Sequence, residues 1–261
     1  MKNKSMSRTS QLTDKTLDVL EAVARLGSAS LPEIQARCGL SMATAHRIMQ
    51  SLIDRGFVMR TGRADYRLGS VAITLAEGVS VRDILAPAAR PHLLSLSKHT
   101  KSNTHLGVWN DGMVAYLVKR RFGKLPVHSA EGAQLEGYCS ALGKILLSGM
   151  PDDELDQYLA DGGFIALTPH TITDPEQLRA EIEDVRRRGW AADNEEIALG
   201  LRCIAVPVRG RDGSILAAIS ISRVGPSVQA EEPTMLLPLL CETAEAITTK
   251  LFPIPIRPID R

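Results

Sequence analysis

Two stretches of this 261-residue chain concentrate groups able to do chemistry. Ala191–Cys203 (AADNEEIALGLRC) carries the carboxylates Asp193, Glu195 and Glu196 and the thiol of Cys203, and Ala217–Ser222 (AAISIS) carries the hydroxyls of Ser220 and Ser222. Such groups run hydrolytic or transfer reactions only when a base, a metal or an oriented partner activates them. The sequence has no GxSxG nucleophile elbow, no HExxH metal motif and no glycine-rich cofactor loop. Cys203 has no accompanying signal for a base or a lowered pKa. The six histidines (His46, His92, His99, His105, His128, His170) show no metal-ligand spacing, and Cys38, Cys139, Cys203 and Cys241 form no CxxC pair, which fits reduced thiols. No catalytic residue, cofactor or metal site is expected. An enzyme acting on a small organic acid or ester is the rival reading.

Other polar groups are placed to hold a ligand rather than to transform it. In Tyr138–Leu147, Ser140 is a good N-cap, and the amides that follow it open a helix. Such an end attracts carboxylate or phosphate through unpaired N–H groups and the helix dipole, although the spacing is not that of a P-loop. In a strand Ser220 and Ser222 share one face while Ile219 and Ile221 share the other. Two hydroxyls so placed are either surface positions or the polar spots of a pocket, and the pattern leaves both open.

A third set suits nucleic acid. Ser41 caps a helix running to about Asp54. On that helix Ala45, Ile48 and Leu52 cluster on one side with Met49 at the edge, Ala43, Arg47, Gln50 and Asp54 lie opposite, and Thr44, His46 and Ser51 flank. The outward face offers hydroxyl, imidazole, guanidinium and amide groups that reach phosphates or base edges. The expected DNA contacts are Ser41, Ala43, Thr44, His46, Arg47 and Gln50. Arg60, Arg63 and Arg67, on or beside a hairpin, would touch phosphate backbone or minor groove, or else protect an edge strand by charge.

The elements that must position these groups follow from periodicity. Helical spacing runs from Thr13, a plausible N-cap, to Leu26, where Gly27 stops it. A second helix starts at Ser30 with Pro32 in its first turn and ends at Gly39; the third is the one capped by Ser41. Phe57–Arg60 and Tyr66–Leu68, around Thr61-Gly62-Arg63, read as a hairpin. Three short helices and a hairpin make a winged helix-turn-helix. Gly69 to Lys98 reads as a helical connector interrupted by Pro87 and Pro91. Beyond it, strands at Thr104–Trp109 and Met113–Val118 flank the turn Asn110-Asp111-Gly112. Strands at Cys203–Val208 and Ile215–Arg223 follow, with helices at Ala141–Leu147, Asp152–Ala160, Pro175–Arg188 and Glu232–Leu251. The expected organisation is an arm (1–12), a DNA-binding domain (13–69), a helical linker (70–98), a ligand-binding domain (99–252) and a proline-rich tail (253–261).

Charge agrees with that division. The formal charge of +1 is the sum of +5 over residues 1–75 and −4 over the remainder, so an anionic partner is expected for the first part only. No apolar run reaches the length of a membrane span, and no apolar stretch follows the polar first residues as a signal peptide would require; a cytoplasmic protein is expected.

Over roughly Ser10 to Leu251 the chain resembles the IclR family of bacterial transcription regulators. The resemblance is carried by LSMATAHRIMQSLIDRGF (Leu40–Phe57), SALGKILL (Ser140–Leu147), DNEEIALGLRC (Asp193–Cys203) with Ala205-Val206-Pro207-Val208, and AAISIS, in that order and spacing. It implies an α+β protein: an N-terminal winged helix, a helical linker and a GAF/profilin-like α/β effector domain with an antiparallel sheet. It also implies an effector pocket at Ala141, Leu142, Asp193, Cys203, Ser220 and Ser222, beside the cap at Ser140. Ala141-Leu142 replaces a smaller Gly-Ala pair of some relatives, which alters pocket volume. Leu142, Ile145, Leu199 and Leu201 are the candidates for an apolar wall. The partners expected are double-stranded DNA with a pseudo-palindromic operator, a small organic acid, and further copies of the chain in a homodimer or homotetramer; a DNA-binding protein with a ligand-free oligomerisation domain is the weaker alternative.

Overall fold

The computed structural model describes residues 11–62, 65–123, 130–225 and 234–253. It divides between Ser80 and Val81 into two compact units.

The first unit has three helices, α1 (Gln11–Leu26), α2 (Leu31–Cys38) and α3 (Met42–Asp54), and strands β1 (Ala29–Ser30), β2 (Val58–Thr61) and β3 (Asp65–Leu68), followed by α4 (Val71–Glu77). Local chemistry sets the helix ends. The Ser30 amide and hydroxyl both donate to Glu33 Oε2, at 2.7 and 2.6 Å, so the start of α2 is satisfied, and Gly39 ends it in the left-handed region at φ 62°. α1 begins at Gln11, so Thr13 lies inside the helix rather than capping it; a cap residue two positions into a helix-compatible run does not stop the helix extending toward its N-terminus. The strands pair antiparallel in the order β1-β3-β2, and the two-residue β1 was not expected. Val19, Val23, Ile34, Ala45, Ile48, Met49, Leu52, Val58 and Tyr66 form one apolar core.

The second unit is built on a six-stranded antiparallel sheet of order β6-β5-β4-β9-β8-β7. Its strands are β4 (Asn103–Asn110), β5 (Met113–Arg120), β6 (Gln134–Leu135), β7 (Ala191–Asn194), β8 (Leu201–Arg209) and β9 (Ile215–Val224). One face is covered by α5 (Val81–Thr100) and α9 (Leu237–Leu251), and the other by α6 (Ala141–Ser148), with α8 (Pro175–Arg188) packed on α6 and α7 (Asp152–Asp161) packed on α8. The period of two sorts the side chains: Ile204, Val206, Val208, Ala217, Ile219 and Ile221 face α5 and α9, while Ala205 and Ala218 face α6.

The expected interruptions at Pro87 and Pro91 do not occur, and α5 runs through both. Proline weakens the ladder locally, but Leu85, Ala86, Ala89, Leu93 and Leu96 bury an apolar stripe against the sheet, and that tertiary packing holds the helix together. The stretch read as a connector, from Val81 onward, therefore belongs to the second unit and gives it part of its core.

Candidate functional site

In the first unit the helix expected to meet DNA is α3. Ser41 caps it, its Oγ accepting the Thr44 amide at 3.3 Å and lying 2.9 Å from the Thr44 hydroxyl. Ala45, Ile48, Met49 and Leu52 are buried, as their spacing predicted, and Ala43, His46, Arg47 and Gln50 are exposed together on the opposite side. Thr44 is half-buried beside the cap, and Gln50 donates to Asp54 Oδ1 at 2.7 Å. The two described arginines of the hairpin point to opposite faces. Register pairs Arg60 with Tyr66 and Arg67 with Met59. Arg60 donates to the Tyr66 hydroxyl at 2.9 Å and lies over its ring, on the core side, whereas Arg67 is free of the core and exposed. Arg63 lies outside the described residues.

In the second unit, strand register assembles a polar floor. Asn103, Ser222, Cys203 and Asp193 stand side by side across β4, β9, β8 and β7, and His105, Ser220, Ala205 and Ala191 form the adjacent row on the same face. α6 lies above, its approach secured by glycine. A Cβ on Gly143 would meet the Gly137 carbonyl oxygen at 2.1 Å, so helix and preceding loop touch backbone to backbone. Ser140 caps α6 by accepting the Gly143 amide at 3.0 Å. The Ala141 and Leu142 amides, at the very start, have no acceptor within the helix.

Between floor and helix is a void of about 30 Å³, lined by Ser140, Ala141, Leu142, Asp193, Cys203, Ser220 and Ser222, and by His105, Tyr116, Leu135, Ile197 and Leu201. All seven residues expected at a pocket line this one space. The apolar wall differs from expectation: Leu199 is 65% exposed and outside the lining, because the chain turns at Gly200 and hands the inward position to Leu201. Ile145 is core beneath the helix.

Burial dominates the electrostatics of the site. The His105 Nδ1 lies 3.2 Å from Ser220 Oγ and its ring meets Tyr116 edge to face, while its Nε2 is buried without a partner. Burial, with Lys119 as the lesser cause, pushes His105 down to about 3, so the ring is neutral. Burial likewise pushes Asp193 up to about 7, against the Glu196 amide that donates to its Oδ1 at 2.8 Å; its Oδ2 and the Ser222 hydroxyl are buried and unpaired. Burial, and then the facing Asp193 carboxyl, raise the Cys203 thiol well above its ordinary value, which makes it a poor nucleophile.

A buried ion pair locks the acidic loop to α6. Lys144 donates to Glu196 Oε1 at 2.6 Å and to the Ala192 carbonyl at 3.1 Å, with Glu181 Oε1 3.6 Å away. The Thr168 and Thr171 hydroxyls donate to the carbonyls of Glu195 and Glu196 at 2.6 and 2.7 Å. Sequence reasoning missed the roles of His105, Tyr116 and Lys144, and named Glu196 only among the carboxylates of its stretch. Only the strand pairing that sets His105 opposite Ser220 could have revealed the first of these. No group of three or more His, Cys, Asp or Glu side chains suited to a metal is present among the described residues.

A winged helix-turn-helix joined in one chain to a sheet unit with a cavity lined partly by buried polar side chains is the build of a DNA-binding regulator. The family comparison makes this specific. Residues 12–62 match the IclR helix-turn-helix domain and residues 77–249 match the bacterial transcriptional regulator IclR C-terminal domain; the chain belongs to the IclR family. It is 30% identical over 226 residues to the Pca regulon regulatory protein of Pseudomonas putida, covering 85% of this chain and 77% of that one. The crystal structure of the Thermotoga maritima IclR superposes with a TM-score of 0.60 at 32% identity, over 92% of this chain and 98% of that one. An IclR homolog from Microbacterium hydrocarbonoxydans, complexed with 4-hydroxybenzoate, shares the fold at 24% identity (TM-score 0.62, 93% of this chain and 100% of that one). The relatives are named as regulators, and the chain is a transcriptional regulator rather than an enzyme.

Proposed function

We propose that this protein is a cytoplasmic, operator-specific regulator whose DNA binding is controlled by a small organic acid held in the cavity between α6 and the sheet. The observation that carries the reading is the set of buried, unpaired polar atoms facing that one space: His105 Nε2, Asp193 Oδ2 and Ser222 Oγ. Leaving such atoms without partners is costly in a protein that never binds anything there. Ser220, Ser222 and the first amides of α6 supply donors for a carboxylate. An acid held there stabilises whichever arrangement of the protein binds it better, and that preference is what couples the cavity to DNA binding.

α3 is the recognition helix, with Ala43, His46, Arg47 and Gln50 toward the major groove, Ser41 and Thr44 at its phosphate-facing start, and Arg60, Arg63 and Arg67 on the wing. The chain acts as a homodimer or homotetramer on a pseudo-palindromic operator. Supporting this, α4 buries none of its residues and leaves Ile73 and Leu75 exposed, which is apolar surface for a second copy to cover.

The test replaces Ser220 and Ser222 with alanine. Loss of even one hydrogen bond to a charged group, worth about 1.5–3 kcal/mol, should weaken effector affinity at least about tenfold. Binding to the DNA upstream of the protein's own gene, measured without effector, should be unchanged. Wild-type affinity for the acid in the double variant would place the ligand elsewhere.

A further inference from the structure

The cavity sets a charge problem for any acid that enters it, and its solution deepens the proposed function, on which it rests. A carboxylate taken out of water is costly to bury, and beyond hydrogen-bond donors a cation or a proton offsets its charge most fully. The titratable groups facing Asp193 are His105 from β4, Tyr116 from β5, Cys139 ahead of α6, Lys144 from α6, Cys203 from β8 and Glu196 from its own loop. Lys144 is the one cation in this set. It does not line the void, and its ammonium is already held by Glu196 Oε1 and the Ala192 carbonyl. Among the described residues, no lysine or arginine lines the space. Asp193 turns Oδ1 to the Glu196 amide and has the Cys203 thiol beside it, and its Oδ2 is buried at the void with no hydrogen bond of ordinary geometry. Two carboxylates meeting there repel; one proton between them converts the repulsion into a strong hydrogen bond.

We propose that an acid effector binds in this cavity together with one proton, which Asp193 Oδ2 takes from solvent and donates to the effector's carboxylate. Burial already favours the protonated form of Asp193 in the empty protein, where the group sits at about 7, and a neighbouring anion favours it further. The neutral His105 ring, held down to about 3, does not compete for the proton. Linkage then sets the pH dependence. Below pH 7 the proton is mostly in place and affinity is flat. Above it each binding event takes up close to one proton, and affinity falls about tenfold per pH unit.

The measurement is calorimetry on the full-length protein with acetate, lactate and 4-hydroxybenzoate as probes, at pH 6 and pH 8, each in two buffers of different ionisation enthalpy. The buffer dependence of the heat counts the protons exchanged. Uptake close to one proton at pH 8 and near none at pH 6 is expected. In Asp193→Asn, whose amide imitates the protonated carboxyl, uptake at pH 8 should vanish and affinity should no longer depend on pH. Binding at pH 8 without proton uptake overturns the proposal while leaving the cavity an effector site. Undiminished uptake in Asp193→Asn also overturns it, by placing the proton on another group. If no probe acid binds at either pH, the acid-effector reading of the cavity fails, and this inference fails with it.

Discussion

Asp193 and His105 are buried titratable groups displaced in opposite directions, and their effects on stability oppose each other. Asp193 holds its proton more tightly in the folded state, at about 7 against an ordinary 3.8. Its favourable contribution is complete below about pH 3.8 and is lost as pH rises through 7. His105 holds its proton less tightly when folded, at about 3 against an ordinary 6.5. Its contribution is complete above about pH 6.5 and is lost as pH falls through 3. Relative to wild type, Asp193→Asn should therefore gain stability as pH is raised from 4 to 6.5, and His105→Asn should lose it over the same range. Urea unfolding at half-unit steps of pH measures both. Parallel stability curves for the three proteins would show that neither group is perturbed as the burial implies. The two residues were not equally visible beforehand: Asp193 lies in a family motif, while His105 is a histidine in an apolar strand with no spacing signal.

The element that holds the site together is α6, joined to the loop after β7 by Lys144 and Glu196. Both side chains are buried, so the pair gains little net energy from being charged, but either member alone is an uncompensated buried charge. Lys144→Met should destabilise the second unit by about 3–5 kcal/mol, and adding Glu196→Met should recover most of that loss. Chemical denaturation followed by tryptophan fluorescence reports this unit, which contains both tryptophans, Trp109 and Trp190. A double variant no more stable than Lys144→Met would mean that the pair is not an isolated exchange of charge for charge. α6 itself was legible in the sequence, because an N-cap serine, an apolar run and a terminal glycine are local signals. Its charged partner was not. Lys144 in an apolar helix has no local reason to be buried; its ion pair joins residues 52 positions apart.

At the scale of the molecule, the two units have separate cores. Ile48→Asp places an unpaired charge in the core of the first, a cost of several kcal/mol. That small unit should lose its fold and the chain its operator binding, while the second unit keeps its own melting transition. Limited proteolysis with mass spectrometry and thermal circular dichroism would show cleavage confined to residues before about Ser80. A single, simultaneous loss of both units would show that they fold as one.

The sequence by itself determined what local physics controls. Capping residues, glycine stops and the 3.6-residue period placed the helices of the first unit and the outward face of α3. The two-residue period put Ser220 and Ser222 on one side of a strand. The order of motifs, taken with family resemblance, named seven positions of the cavity. Tertiary structure decided the rest. Whether the two serines faced solvent or a pocket depended on which helix covered that face of the sheet. Which histidine joined them depended on the register of β4 against β9, more than a hundred residues downstream. Whether Pro87 and Pro91 broke a helix depended on the sheet beneath it. The perturbed proton affinities of Asp193 and His105 come from desolvation, a property of how the fold buries them and of no residue type or spacing.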